Sequence, residues 1–375
     1  MRVLIFSTNT GQGHNGASNA VKEYLTGQGV DALVLDVLDT GRKKSETVSK
    51  LYDAAVTRVP GFFGGVYAFA EWLSSSKRHS PVYWANSWYA GSLYRAITLN
   101  APDVIVCPHM FSAHAVTWLK KKRGLNIPTV GIITDYTWSP FWEESALDYY
   151  IVPNEVVADE CAKRGMDREK MLPLGIPVSA KYNMKSLRES ARAKFGITKE
   201  KAIAIMGGSM GYGKIPQIAL ELAVRLPDVQ ILAVCGNNQA TYEKAKEIPG
   251  VMTLGFIDNV DVLMDAVDVL LTKPGGLSAT EAITKRAPLI LTLPIPGGEE
   301  RNADMLAKMG MAITTKTVEE SVNAACELLQ NRELRNNMKA AQIKFGSITA
   351  AKDIGDLIME MAMSRQEVKE EVLVC

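Results

Sequence analysis

The sequence predicts two doubly wound parallel α/β domains in tandem, and three observations carry that prediction. Ten short apolar runs recur along the 375 residues, at 3–6, 33–35, 104–107, 130–134, 149–152, 202–206, 230–234, 251–254, 269–272 and 289–293. Their apolar residues occupy both faces rather than alternate positions, the pattern of strands covered on both sides. Amphipathic helical stretches separate most of them, so the crossovers are long enough for parallel connections. The set divides in two near 174–194, where Gly175-Ile176-Pro177 precedes a charged helical segment. A chain of this length holds two domains of ordinary size. The expected organisation is a first domain at 1–176, a second at 177–345 and a terminal helix and tail at 346–375, with the linker near 176–185.

Bulk composition excludes several classes. The formal net charge is +1, so a dominant basic field for nucleic acid is not expected. No apolar run reaches the roughly 18 residues of a spanning helix, and the run at 3–6 is too short for a signal peptide. The five cysteines (Cys107, Cys161, Cys235, Cys326 and Cys375) are scattered without CxxC spacing. That fits reduced thiols in a cytoplasm and argues against a disulfide framework or a zinc site.

The first strand leads into Gly11-Gln12-Gly13-His14-Asn15-Gly16, which satisfies G-x-G-x-x-G, and Asp36 ends the next strand 20 residues later. This is the layout of a dinucleotide-binding fingerprint, so an NAD- or FAD-linked oxidoreductase is one reading. Against it, the loop 7–10 is long and polar, His14 sits where backbone would hug a pyrophosphate, and the second half holds a better phosphate site. Residues 40–102 then break the strand rhythm. They gather most of the aromatics of the first half, including Trp72, Trp84 and Trp88, with Lys77 and Arg78 among them. The block reads either as a helical insertion with its own small core or as a surface that enters a membrane interface, where Trp and Tyr are favoured. The run Lys120-Lys121-Lys122-Arg123 reads either as a partner for anionic headgroups or as a solvated helix end.

All four histidines, His14, His79, His109 and His114, lie in the first half. His14, on a Gly-rich loop at a strand's carboxyl end, is the leading candidate for a general base near neutral pH. Asp135, just past the strand at 130–134, would orient His14, serve as the base itself or cap a turn. His109 follows another strand end and either lines the acceptor side or is structural. His79 and His114 carry no functional expectation.

The richest stretch is 268–304. The strand at 269–272 runs into Lys273-Pro274-Gly275-Gly276, and a helix is expected to open near Ser278 with Glu281 in its first turn. Glycines let backbone N–H groups approach an anion, and a helix N-terminus adds its positive dipole end. Glu281, a carboxylate acceptor, suits sugar hydroxyls. The strand at 289–293 ends in Pro294-Ile295-Pro296-Gly297-Gly298, with Glu299 and Asn302 following. The set suits a nucleotide sugar: diphosphate on Gly275 and Gly276, ribose on Glu281, hexose near Glu299 and Asn302. Gly207-Gly208-Ser209-Met210-Gly211 forms a second Gly-rich turn at a strand end, suited to the same diphosphate.

These motifs, in order, resemble a known family. TKPGG, TEA and the Pro-Gly-x-Glu-x-x-Asn run, together with the N-terminal STNTGQGHNGASNAV, the mid-chain IITDYTWSPFW and DYYIVPNEVVADE, and LGIPV, are similar to the lipid-acting GT-B glycosyltransferases of family 28 type. These are the monogalactosyldiacylglycerol synthases and processive diacylglycerol glucosyltransferases, with the peptidoglycan GlcNAc transferase a more distant cousin. The resemblance covers most of 1–345. It implies two Rossmann-like domains facing across a cleft and an inverting transfer of a hexose from a UDP-sugar to a membrane lipid, diacylglycerol first. It implies function for Gly11, Gly13 and His14, and uracil held at Gly255-Phe256-Ile257. Phe256 either stacks on the base or packs in the core. No Asp-x-Asp pair is placed to hold a metal, so neither metal nor cofactor is expected beyond the UDP-sugar substrate. The implied place is the inner face of the cell membrane, peripherally bound, without nucleic acid partners. One departure stands out: the family commonly has Gly-Gln-Glu where this chain has Gly297-Gly298-Glu299. The sugar is therefore open. A polyprenyl-linked or soluble glycan acceptor and a UDP-sugar sensor without turnover stay open as well.

Overall fold

The computed structural model describes residues 1–8, 12–37, 71–74 and 78–374, with side chains at 12 and 368–374 also left out. Gly11 and most of the aromatic block at 40–102 lie outside the described residues. The chain divides into two compact units. One comprises Met1–Ala180 and Thr349–Cys375 with Pro296–Gly298, and the other comprises Lys181–Ile295 and Glu299–Ile348.

The first unit holds a six-stranded sheet: β1 (Arg2–Ser7), β2 (Asp31–Asp36), β3 (Val104–Cys107), β4 (Thr129–Ile132), β5 (Tyr149–Ile151) and β6 (Met171–Leu172). Its order is β2-β1-β3-β4-β5-β6, and every pairing is parallel. Successive side chains of a strand point to opposite faces, and both faces are covered. Val3 and Ile5 join Val104, Val106, Val130 and Ile132 in one apolar cluster. Leu4 and Phe6 join Ile105, Cys107, Trp142 and Tyr150 in the other. The first cluster is closed by the helices Gln12–Gly27 and Ala350–Val374, so the terminal helix belongs to this unit. Ile354 and Ile358, one turn apart, are fully buried there. Each contributes about 1.5–3 kcal/mol by burial.

That helix packs closely because Gly355 has no side chain. A Cβ at Gly355 would lie 2.2 Å from the Tyr24 ring, whose hydroxyl donates to Asp356 at 2.7 Å. Gly355→Ala is therefore expected to destabilise the unit by about 1–3 kcal/mol through overpacking. Thermal melts check this, and Tyr24→Leu in the same background is expected to relieve part of the loss.

The second unit repeats the scheme with β7 (Lys201–Met206), β8 (Val229–Val234), β9 (Val251–Leu254), β10 (Val269–Thr272), β11 (Leu289–Thr292) and β12 (Ile313–Thr315), ordered β12-β11-β10-β7-β8-β9, again all parallel. In each sheet the chain order reverses at one place, β1/β3 in the first and β7/β10 in the second. Ligands of doubly wound sheets bind at the carboxyl ends of the strands at such a switch point. Two of the twelve strands, β6 and β12, are absent from the ten expected runs. They are edge strands of two and three residues.

Candidate functional site

At the switch point of the first sheet, β1 leads to the helix Gln12–Gly27, which carries His14 in its first turn. β3 leads to Pro108 and His109, and β4 to Thr134 and Asp135. The His14 Nδ1 lies 3.0 Å from the Pro108 carbonyl oxygen and 3.1 Å from Thr134 Oγ1. A carbonyl oxygen only accepts, so Nδ1 carries the proton and Nε2 the lone pair. Burial lowers the His14 pKa from its ordinary value. The charge of Asp135 opposes that shift, as does the Pro108 hydrogen bond. The imidazole is thus neutral near pH 7, oriented and basic at Nε2. Asp135 itself accepts from Ser139 Oγ at 3.1 Å. Pro108 and Thr134 were not foreseen as partners of His14. They lie 94 and 120 residues from it, and no local pattern marks such a contact.

The other histidines each make specific local contacts. His109 Nδ1 accepts from the Phe111 N–H at 3.1 Å and so caps the helix Met110–Arg123, while its ring meets His14 edge-on at 4.5 Å. Burial and the neighbouring histidines hold its pKa well below the ordinary value. His114 is fully buried. Its Nε2 donates to the Phe141 carbonyl at 2.8 Å and its Nδ1 accepts from Asn86 at 3.0 Å. Burial pushes its pKa down to about 4. His79 stacks on Tyr83 at 3.7 Å.

Beside this cluster lies a surface of exposed aromatics. Trp72, Trp84 and Trp88 are 70%, 50% and 87% exposed. Two adjacent acids hold the segments that carry them. Glu143 accepts from Ser74 Oγ at 2.6 Å, just after Trp72. Glu144 accepts from Ser80 N at 2.8 Å, where Ser80 caps the helix Pro81–Ser87. The basic end of the helix Met110–Arg123 adjoins the same surface. Lys121 Nζ lies 3.4 Å from His79, and the Arg123 guanidinium sits 5.8 Å over the Tyr94 ring. Lys120 instead pairs with Asp148 at 2.7 Å.

In the second unit the turns after β7 and β10 flank the switch point. Gly208 has φ +67°, a conformation that suits glycine. A Cβ there would lie 3.2 Å from Lys273 Cε, so the Lys273 side chain extends over this turn. A Cβ at Gly211 would fall 2.1 Å from the Cys235 carbonyl oxygen, which fixes glycine where the turns after β7 and β8 meet. The Lys273 ammonium lies 3.2 Å from Glu299 Oε1 and 5.8 Å from the Tyr212 ring centre. The helix Gly276–Thr284 begins at Gly276, with Gly275 as its cap and no side chain bonded to its first N–H groups. These amides, the ammonium and the glycine turns make a cradle suited to a diphosphate. The helix opens two residues earlier than expected, so Glu281 stands in its second turn, not its first. The reason is that Gly276 already has helical backbone, although glycine is a poor helix former.

Burial raises the pKa of Glu281 to about 7, and the neighbouring Tyr182 and Lys181 oppose that shift. Asn302 is fully buried and donates to the Pro274 carbonyl at 3.2 Å, bracing the loop from behind. Phe256 leaves 55% of its surface exposed, so its ring is not a core residue. Ile257 is half-buried beside it, and the Ser209 carbonyl accepts from Asn237 N at 2.8 Å. Among the described residues no cluster of three or more His, Cys, Asp or Glu side chains is arranged to hold a metal ion.

The family profile described as Monogalactosyldiacylglycerol (MGDG) synthase matches residues 14–178, and that described as Glycosyl transferases group 1 matches residues 188–345. A processive diacylglycerol beta-glucosyltransferase of Bacillus pumilus is 27% identical over 365 residues, 94% of each chain. Another, of Bacillus cereus, is 27% identical over 356 residues, 92% of this chain and 88% of that one. The chain thus joins a monogalactosyldiacylglycerol-synthase type first half to a group 1 glycosyltransferase second half and is similar along most of its length to processive diacylglycerol glucosyltransferases. Solved structures agree on the fold of this glycosyltransferase, which is GT-B. MurG of Acinetobacter baumannii aligns with TM-score 0.62 at 18% identity, over 96% of this chain and 99% of that one. A UDP-GlcNAc 2-epimerase from Neisseria meningitidis bound to UDP-GlcNAc aligns with TM-score 0.63 at 13% identity, over 96% and 100%. A transferase and an epimerase thus share the fold, which by itself does not choose a reaction.

Proposed function

We propose that this glycosyltransferase moves a hexose from a UDP-sugar to a membrane lipid, diacylglycerol first, with inversion at the anomeric carbon. The observation that carries the reading is the state of His14: neutral, its proton fixed on Nδ1 by Pro108 and Thr134, its Nε2 basic. Such a group takes the proton of an acceptor hydroxyl as that oxygen attacks the sugar's anomeric carbon and UDP leaves. Asp135 raises the basicity of His14 through its charge. Gly13 lies in the first turn of the helix that carries the base.

On the donor side, Lys273 and the amides at Gly275 and Gly276 take the diphosphate, as do the turn residues Gly207, Gly208 and Ser209. They stabilise the charge that grows on the leaving group. Glu281 takes the ribose, Phe256 and Ile257 the uracil, and Glu299 the hexose, with Asn302 holding the loop. His109 supports the acceptor side. No metal or cofactor enters this reading. Because the base acts as neutral imidazole, kcat/KM is expected to hold as pH falls below 6.5 and to decline only through the lowered pKa of His14. A pH–rate profile checks this, and an acid limb at or above an ordinary histidine value contradicts it.

No helix of the described residues is long and apolar enough to cross a membrane. The exposed Trp72, Trp84 and Trp88, with Lys121, Lys122 and Arg123 alongside, suit peripheral contact with an anionic bilayer such as the inner face of a cell membrane. Replacing Trp84 and Trp88 together by Ser is expected to weaken liposome sedimentation by about tenfold or more while UDP binding is retained. Unchanged sedimentation removes the membrane assignment from this surface. The activity is tested by UDP release with a panel of UDP-sugars on diacylglycerol liposomes. Release that is indifferent to the lipid moves the acceptor to a polyprenyl-linked or soluble glycan.

A further inference from the structure

The exposed Trp72, Trp84 and Trp88 sit on segments that meet at one peptide of the first unit, that of Phe141. Phe141 has φ +75°, a left-handed conformation that residues with a side chain rarely adopt. Both polar groups of its backbone are engaged by those segments. Its N–H donates to Ser74 Oγ at 2.6 Å, two residues after Trp72. Its carbonyl accepts from His114 Nε2 at 2.8 Å. That carbonyl can only accept, so Nε2 carries the proton and Nδ1 accepts from the Asn86 amide at 3.0 Å. Asn86 is buried and stands between Trp84 and Trp88, on the helix Pro81–Ser87. The Ser74 hydroxyl in turn donates to Glu143 at 2.6 Å, and Glu144 accepts from Ser80 N at 2.8 Å and Ser80 Oγ at 3.0 Å. A strained backbone persists only where its surroundings fix it, and here Ser74 and His114 hold it from either side.

We propose that Ser74 and His114 are positioning residues for membrane docking: through the Phe141 peptide they hold the segment bearing Trp72 and the helix bearing Trp84 at one fixed spacing, so that the rings enter a bilayer interface together. The proposal deepens the membrane reading of this surface and rests on it. Rings on independently moving segments would pay the cost of ordering at the moment of binding, whereas a surface already set does not. The network has no slack for such motion. His114 is fully buried, and burial keeps it neutral, with its pKa down to about 4, so each ring nitrogen keeps one role. Releasing either segment would leave a buried polar group of this network without its partner, which is unfavourable.

The test compares the full-length enzyme with Ser74→Ala, His114→Ala, their conservative forms Ser74→Thr and His114→Gln, and the Trp84→Ser, Trp88→Ser double variant. Thermal melts verify folding, and Ser74→Ala carries the test if His114→Ala does not fold. Sedimentation is measured with vesicles of phosphatidylcholine, phosphatidylglycerol and diacylglycerol. Ser74→Ala and His114→Ala are each expected to weaken it by about tenfold, the scale of one lost hydrogen bond, and to raise the KM for vesicle diacylglycerol in proportion. UDP affinity and the rate with a short-chain, water-soluble diacylglycerol are expected to stay as they are. Ser74→Thr keeps the hydroxyl, and His114→Gln keeps a donor and an acceptor, so both are expected to recover sedimentation. If the double Trp variant loses sedimentation while folded Ser74→Ala and His114→Ala keep it, the positioning role is wrong and the membrane reading stands. If Ser74→Ala and His114→Ala lower the soluble-acceptor rate as much as sedimentation, the network supports the unit as a whole, and the positioning role is again wrong. If the double Trp variant sediments unchanged, the membrane reading fails and the role of Ser74 and His114 fails with it.

Discussion

Replacing His14 by Ala is expected to lower kcat by about 10²- to 10⁴-fold, the usual contribution of a positioned base, with UDP binding intact. The reason lies in where His14 stands. It belongs to the first unit, at the carboxyl ends of β1, β3 and β4, whereas the cationic cradle belongs to the second. A variant that lost both turnover and UDP binding would mean that His14 supports structure rather than proton transfer. A variant with full turnover would pass the role to Asp135. His14→Gln is a stricter form, since it keeps hydrogen-bonding capacity without a basic nitrogen.

Replacing Lys273 by Met is expected to reduce kcat/KM by about ten- to a hundredfold, mainly through weaker donor binding. Two effects add. The cation that extends over the turn at Gly208 disappears, and Glu299 loses its ion pair at 3.2 Å. A largely buried carboxylate then stands without its cation in the proposed diphosphate cradle, which is unfavourable for an anionic donor. Adding Glu299→Gln to Lys273→Met removes that second effect and is expected to recover part of the loss in UDP affinity, measured by calorimetry. No recovery would mean that Glu299 faces away from the donor.

The fold was legible because parallel strands buried on two faces leave a plain trace. Val3 and Ile5 feed one core cluster, Leu4 and Phe6 the other, so the whole strand must be apolar. The strands β6 and β12 escaped because Met171-Leu172 and Ile313-Thr314-Thr315 are too short to show a pattern. Local motifs marked the glycine turns at 207–211 and 273–276 and placed them at strand ends, which follows from the chain alone. Tertiary partners did not show. Nothing near His14 in sequence announces Pro108 or Thr134, and nothing near Glu281 announces Tyr182, 99 residues earlier. The start of the helix at Gly276 was hidden by glycine's poor helix propensity. For Phe256 the sequence left stacking and core packing open, and its exposed ring excludes the core.

The most direct measurement is mass spectrometry of lipids recovered after the protein is incubated with diacylglycerol-containing liposomes and one UDP-sugar at a time. The account predicts a diacylglycerol shifted by one hexose with at least one donor, and further hexoses if transfer is processive. UDP-sugar binding without any glycosylated lipid, across the whole panel, would contradict it.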